Sequence, residues 1–108
     1  MDATIEMPPL DGEGYLVEPA DWNEDVGREL ARRLQVEMGE DHWDVIRFMR
    51  DAYEERQVAP DARHAIRHLD RRYPGEGRKR LFELFPYGYV GQACRIAGMK
   101  RPHAWSTG

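Results

Sequence analysis

The stretch EDHWDVIRFMRDAYEE, residues 40–55, predicts a long helix with one buried face. Trp43, Ile46, Met49 and Tyr53 recur every three or four residues, which is the spacing of side chains along a single helix face. Acidic residues crowd its beginning, where they interact favourably with the positive end of the helix dipole. We therefore predict a helix from about Asp41 to Gln57.

Upstream of this stretch, a second amphipathic helix is predicted. Asp21 and Glu24 in DWNE have the spacing of a capping box, with an acid in place of the usual serine or threonine. The helix is expected to run to about Glu37, ahead of the helix-breaking Gly39. Its buried stripe is predicted to contain Trp22, Val26, Leu30 and Leu34.

Downstream, the sequence predicts three further helices. The first begins at Pro60, a favoured first-turn residue, and ends at Arg72. RKRLFELF, residues 78–85, predicts a short helix, and YVGQACRIA, residues 89–97, predicts a last helix closed by Gly98 as its C-cap. One face of the Pro60 helix forms a basic ridge of Arg63, Arg67 and Arg71, and Arg72 lies beside it.

Two short β-prone runs precede the helices. TIEM, residues 4–7, and GYLVE, residues 14–18, are separated by prolines and glycines, which predicts an N-terminal hairpin or meander. The expected fold class is α+β, with this hairpin packed on an array of about five helices. A single domain is expected over residues 1–108. Residues 99–108 contain Pro102 and no periodicity, and they are predicted to be a flexible C-terminal arm.

The composition restricts the compartment and the chemistry. Of the 108 residues, 41% are hydrophobic and 33% are charged, and no apolar run approaches the roughly 18 residues of a membrane span. No secretory signal is recognised, so a soluble cytoplasmic protein with no membrane contact is expected. A single cysteine forms no internal disulfide and excludes a multi-cysteine zinc site.

Charge is divided unevenly along the chain. Residues 1–55 carry a net charge of −11 and residues 56–108 a net charge of +7, although the whole chain carries only −4. The basic half suits a polyanion or an acidic partner protein. The simpler interpretation is that the two halves neutralise each other across the fold. Short helices with a basic member also fit a helix-turn-helix, in which Arg63, Arg67, Arg71 and Arg72 contact phosphates or an acidic partner.

Cys94 is the one candidate reactive residue. It shares a predicted helix face with Val90, Ala93 and Ala97, which favours inert burial because free cysteine is among the most buried residue types. Small neighbours, an adjoining arm and the nearby cations favour a reactive thiolate instead. Arg95, Lys100 and Arg101 are those cations.

Other catalytic patterns are missing from the sequence. His64 and His68 have metal-ligand spacing, but the arginines around them repel a cation, and no HExxH motif accompanies them. No Ser-His-Asp order or phosphate-binding loop is present. We predict no metal, no cofactor and no classical enzyme active site.

Several segments together resemble the DsrC/TusE family of small sulfur-relay proteins. In order they are DGEGYLVEPADWNEDV, EDHWDVIRFMRDAYEE, AP at Ala59, LFELFP and GQACRIAG, spanning about residue 11 to Pro102. The resemblance implies a small β-meander on about five helices with a helix-turn-helix-like element. It also implies a mobile C-terminal arm that carries the working cysteines.

Two arm cysteines are typical of the family members in dissimilatory sulfur metabolism, whereas carriers for tRNA thiolation keep the penultimate one. Cys94 matches the upstream position, and Trp105 stands where the resemblance places the family's penultimate cysteine. Tryptophan accepts no sulfur, so the penultimate-cysteine chemistry is lost. Tyr89 also replaces a usual proline, and Met99-Lys100 replaces a usual Leu-Pro.

The resemblance implies a non-standard member of the family. It would bind sulfurtransferase or relay proteins of the DsrEFH or TusBCD kind, or a sulfite reductase-like complex, or sense sulfur state through Cys94. Arg95, Gly98, Lys100, Arg101 and Trp105 form the surroundings of the thiol in the sequence. The alternatives are a nucleic-acid-binding regulator and a persulfide carrier that uses Cys94 alone.

Overall fold

The computed structural model describes residues 6–100, and these residues form a helical array. Four α-helices follow one another: α1 (Glu24–Arg33), α2 (Glu40–Arg56), α3 (Ala62–Arg72) and α4 (Gly77–Leu84). A short 3-10 turn, Pro19–Asp21, precedes them, and a π-helical segment, Tyr89–Cys94, follows them. No helix among the described residues is long and apolar enough to span a membrane.

The predicted N-terminal hairpin is wrong, and with it the α+β fold class. Within residues 6–100 there is no strand, only one antiparallel bridge between Leu10 and Leu16. The loop between them is closed by Asp11, whose carboxylate accepts hydrogen bonds from the backbone N–H groups of Glu13 and Tyr15, at 2.8 and 3.0 Å. This side-chain turn competes with strand pairing, and the prolines before it lack ladder donors. Residues 4 and 5 of the expected first strand lie outside the described part.

Helix α1 begins later than the capping-box pattern predicts. Asn23, not Asp21, is the N-cap, and its side chain accepts a hydrogen bond from the Val26 N–H at 2.9 Å. Glu24 and Asp25 occupy the first turn, and Arg32 and Arg33 the last, an arrangement that complements the helix dipole. The helix ends at Arg33, before the expected Glu37, and Gln35 follows with a φ of 60°.

Helix α2 lies close to its predicted bounds and supplies the centre of the core. Val45, Ile46 and Met49 have no exposed surface. Gly39 precedes the helix as its N-cap, and Gln57 closes it in a left-handed conformation. The core around it is completed by buried side chains from the other helices and the chain end: Ala65, Leu69, Leu81, Leu84, Phe85, Ala93, Cys94, Ile96 and Met99.

Helices α3 and α4 pack tightly because Gly77 has no side chain. Its N–H donates to the Asp70 carboxylate at 2.7 Å, and a Cβ at this position would collide with the Ile66 carbonyl oxygen. The buried sides of the two helices, Ala65 with Leu69 and Leu81 with Leu84, face the core. The chain then turns at Pro86 and Gly88 into the segment that carries Cys94.

Candidate functional site

The backbone around Cys94 is a π-helical turn. Gly88 precedes it with a φ of 111°, a left-handed conformation that glycine adopts without steric cost. The side chain of Gln92, nearly buried, turns back to accept a hydrogen bond from the Tyr87 N–H at 3.0 Å. Such π-turns are rare and are often found at functional sites.

Gly98 ends the helix as the sequence predicts. Its φ is 73°, the Met99 N–H donates to the Cys94 carbonyl at 3.1 Å, and the Gly98 N–H donates to the Arg95 carbonyl at 3.0 Å. These two bonds form a Schellman motif. The motif satisfies the Cys94 carbonyl and fixes the direction in which the chain leaves the helix.

Side chains from the N-terminal loop and α2 hold this helix end. The Trp22 indole N–H donates to the Ile96 carbonyl at 2.8 Å. Arg50 donates to the carbonyls of Ala97, at 3.0 Å, and Pro19, at 3.1 Å, and its guanidinium lies 4.8 Å from the Trp22 ring centroid. We call Trp22 and Arg50 the clamp, because together they tie the end of the helix to both earlier segments.

The Cys94 side chain is completely buried. Burial raises the pKa of the thiol to about 12, and a hydrogen bond with Tyr89 only partly opposes this effect. The Tyr89 hydroxyl is itself buried and donates to the Pro60 carbonyl at 2.6 Å. A Cys94 thiolate would compete for that proton, so the surroundings favour the neutral thiol.

The predicted cations do not create a thiolate environment. Arg95 donates to the Glu13 carbonyl at 3.0 and 2.7 Å and to the Gly91 carbonyl at 2.8 Å, and its guanidinium lies over the Tyr15 ring. Lys100 is exposed, and its charge adds to the backbone hydrogen bond from Tyr15 that lowers the pKa of Asp11. Neither Arg95 nor Lys100 is among the groups that shift the pKa of Cys94, which are the burial of the thiol and its hydrogen bond with Tyr89. Arg101 and Trp105 lie outside the described residues.

The predicted basic ridge on α3 is divided into paired and unpaired cations. Arg63 forms an ion pair with Asp61 at 2.9 Å, and Arg72 lies 3.5 Å from Asp41. Among residues 6–100, Arg67 and Arg71 have neither an ion-pair nor a hydrogen-bond partner. Of the four arginines predicted to contact a partner, only Arg67 and Arg71 are thus unpaired among the described residues.

The two histidines of α3 contact different acids. His64 Nδ1 lies 3.1 Å from Asp61, whereas His68 Nε2 lies 2.9 Å from Asp44. The His68 ring stacks on Phe48 with 4.5 Å between ring centroids. Within the described part of the chain, no three or more metal-ligating side chains come together.

Sequence reasoning missed Tyr89 and the clamp. The sequence marks Tyr89 only as a replacement for a proline. In the structure its hydroxyl donates to the Pro60 carbonyl and forms a hydrogen bond with Cys94. No local sequence pattern predicts the clamp, because Trp22 and Arg50 bind the Ile96 and Ala97 carbonyls, which lie 74 and 47 residues away in the chain.

Comparison with known sequences identifies relatives along most of the chain. The family model described as DsrC like protein matches residues 4–105. A protein named sulfurtransferase TusE from Photorhabdus laumondii is 38% identical over 94 residues, covering 85% of each chain. A protein of the same name from Buchnera aphidicola is 36% identical over 102 residues, covering 92% of this chain and 89% of the relative.

Solved structures agree with this family. DsrC from Allochromatium vinosum superposes with a TM-score of 0.77 and 39% identity, over 90% of this chain and 88% of that one. The oxidized gamma-subunit of the dissimilatory sulfite reductase from Archaeoglobus fulgidus, also called DsrC, superposes with a TM-score of 0.79 and 34% identity. That match covers 88% of this chain and 89% of the other. The chain therefore belongs to the DsrC/TusE family of sulfur-relay proteins.

Proposed function

We propose that this protein is a binding component of a sulfur relay that does not carry sulfur on Cys94 while it is folded. The observation that carries the proposal is the complete burial of Cys94, the only cysteine in the chain. A sulfur acceptor needs a thiolate that a donor protein can reach. Here the thiol is enclosed and its pKa is raised to about 12.

The nature of the partners is suggested by the relatives. Some are named sulfurtransferases, and one structural neighbour is a subunit of a dissimilatory sulfite reductase. We infer that the partners are sulfurtransferase or relay proteins of the DsrEFH or TusBCD kind, or a sulfite reductase-like complex. The single cysteine supports the reducing cytoplasm as the compartment of this activity.

Sulfur sensing or sulfur acceptance at Cys94 would require the helix end to open. Opening would break the Trp22 bond to Ile96 and the Arg50 bond to Ala97, and it would expose buried apolar side chains to water. Trp105, at the position of the family's penultimate cysteine, offers no second thiol. These features support binding over sulfur transfer, and they also disfavour a persulfide carrier that relies on Cys94 alone.

Intact-mass spectrometry tests this proposal. The purified protein and its Cys94→Ser variant are exposed to a cysteine desulfurase with cysteine, and separately to a persulfidated relay protein. We expect no added sulfur on either protein, and we expect Cys94 of the wild type to react with an alkylating reagent only in denaturant. An adduct of one sulfur on the folded wild type, missing from the variant, would show that the protein is a carrier.

Binding is measured in parallel. An immobilised sulfurtransferase complex of the DsrEFH or TusBCD kind should retain the wild type and the Cys94→Ser variant equally, because the thiol takes no part in the contact. A complex that retains neither protein would contradict the proposed relay role. Loss of binding in the Cys94→Ser variant alone would show that the Cys94 thiol takes part in the function.

A further inference from the structure

The outer side of α4 and the turn after it expose two large aromatic rings. Phe82 is 66% exposed and Tyr87 is 85% exposed, the highest values among the large hydrophobic residues described. Arg78 and Lys79 are also exposed, and they lie four and three residues before Phe82, on the same side of the helix. We call Arg78, Lys79, Phe82 and Tyr87 the α4 surface.

The cations of the α4 surface are unpaired within the described fold. Neither Arg78 nor Lys79 has an ion-pair or hydrogen-bond partner among residues 6–100, and the same holds for Arg67 and Arg71 on α3. On α1, by contrast, every arginine is paired with a carboxylate of the same helix: Arg28 with Asp25, and Arg32 and Arg33 with Glu29.

The four unpaired cations belong to helices that touch. Helices α3 and α4 contact each other at Gly77, whose N–H donates to Asp70. Arg78 and Lys79 directly follow Gly77, and Arg71 directly follows Asp70. The two helices that meet here thus carry four cations without a partner among residues 6–100, although the protein as a whole is acidic.

The position of Arg78 and Lys79 opposes the stability of α4. Both lie in its first turn, where the helix dipole favours acids, and that turn contains no acidic residue. The Glu76 N-cap provides no side-chain hydrogen bond. Helices α1 and α2 each have two acids in the first turn. Side chains that weaken their own helix and contact nothing in the described fold indicate a contact outside it.

We propose that the α4 surface docks an acidic protein partner, with Phe82 and Tyr87 entering an apolar depression and the four cations facing its carboxylates. This inference rests on the proposed role as a partner-binding protein and states the chemistry of the partner. Exposed aromatic residues beside arginine are typical of protein interfaces. The net charge of −11 on residues 1–55 disfavours a long polyanion such as DNA over a partner with one acidic patch.

An NMR titration of the full-length ¹⁵N-labelled protein tests the inference. The probe is a synthetic amphipathic peptide of glutamate and leucine, at low salt, and the control peptide has glutamine in place of glutamate. We expect shifts of the backbone amides of Arg78, Lys79 and Phe82 with the glutamate peptide only. The variant Arg78→Gln/Lys79→Gln should bind it about five- to tenfold more weakly, since two surface ion pairs are lost.

The matched control removes two cations elsewhere. Arg32→Gln/Arg33→Gln makes the same charge change on α1 and should leave the affinity for the glutamate peptide close to that of the wild type. Equal weakening in both variants would mean that the peptide responds only to net charge, and the inference would fail. Tighter binding of a single-stranded oligonucleotide than of the glutamate peptide, at the same salt, would instead assign the surface to nucleic acid.

The sulfurtransferase-binding measurement separates this inference from the proposed function. If the complex retains Arg78→Gln/Lys79→Gln as well as it retains the wild type, the relay role stands and the α4 surface is not the docking site. If the complex retains neither the wild type nor Arg78→Gln/Lys79→Gln, while the glutamate peptide still binds the wild type at α4, the relay role fails. The inference that the α4 surface docks an acidic partner then stands. Thermal melting of both variants, compared with the wild type, verifies that each is folded.

Discussion

Replacing Cys94 with alanine should change how the stability of the protein depends on pH in the alkaline range. Burial raises the pKa of the folded thiol from 9.0 to about 12. Between these values the folded state keeps a proton that the unfolded state has lost. The contribution of the thiol is therefore fully present below about pH 9 and is lost as the pH rises toward 12.

The magnitude follows from the size of the shift. A difference of three pKa units corresponds to a loss of about 4 kcal/mol once the folded thiol also ionises. Most of that range is too alkaline to measure, but linkage predicts a loss of about 1 kcal/mol at roughly pH 10 and of about 2 kcal/mol at roughly pH 10.5, relative to neutral pH. The Cys94→Ala variant should lack this loss.

Urea unfolding followed by far-UV circular dichroism, with reductant present, measures the difference. Truncation to alanine leaves a small cavity, so the variant is expected to be less stable at neutral pH. Titrating groups away from Cys94 affect both proteins alike and cancel when the two curves are subtracted. Tyr89 contacts the thiol, but burial is the first cause of its raised pKa and remains in the variant. The stability gap between wild type and variant should narrow above about pH 9. Parallel curves would refute the burial argument, because they would mean that Cys94 ionises equally in both states.

Three further variants, the last a double substitution, test the contacts that hold the helix ends. Gly98→Ala should lower the free energy of unfolding by about 1–3 kcal/mol, since it places a side chain at a φ of 73° and against the Trp22 ring. Urea unfolding measures this loss. Gly12→Ala, where a side chain meets open space, is the control and should lower the free energy far less. Arg50→Met keeps the apolar stem but removes two bonds to backbone carbonyls, and it should cost about 2–4 kcal/mol in urea unfolding; an unchanged midpoint would argue that water replaces those bonds. Arg78→Glu/Lys79→Glu should raise the free energy of unfolding by about 0.5–2 kcal/mol, and with it the melting temperature, because the two acids then complement the helix dipole. A lower melting temperature would contradict the dipole argument.

The helices could be predicted from the sequence because their signals are local. The spacing of Trp43, Ile46 and Met49 depends only on neighbours along α2, and Gly98 closes its helix through bonds that span five residues or fewer. Boundaries were less accurate because several residues compete to cap the same end. Asp21 and Asn23 are both good N-caps, but Asp21 belongs to the preceding 3-10 turn, and Asn23 caps the helix.

The N-terminal hairpin was predicted wrongly because strand propensity expresses tertiary context more than backbone preference. Tyr15 and Leu16 are buried against helices, and this burial is what the β-prone composition reflected. The environment of Cys94 was equally hard to predict. Its helix face follows from the sequence pattern, but residues adjacent in sequence need not be adjacent in space, and Arg95 donates to the carbonyl of Glu13.

The contacts of Trp22 with Ile96, Tyr15 with Val90 and Arg95 with Glu13 join residues 74, 75 and 82 positions apart. Ribosomes synthesise the N-terminal loop before its partners, so these contacts form only after the helix that carries Cys94 has emerged. Nascent chains that end before Ile96 leave the indole N–H of Trp22 without its acceptor and the apolar residues beneath it uncovered. Closure of this end of the fold therefore waits for the helix that carries Cys94, and translation products truncated before that helix present exposed hydrophobic surface to the quality-control proteases of the cell.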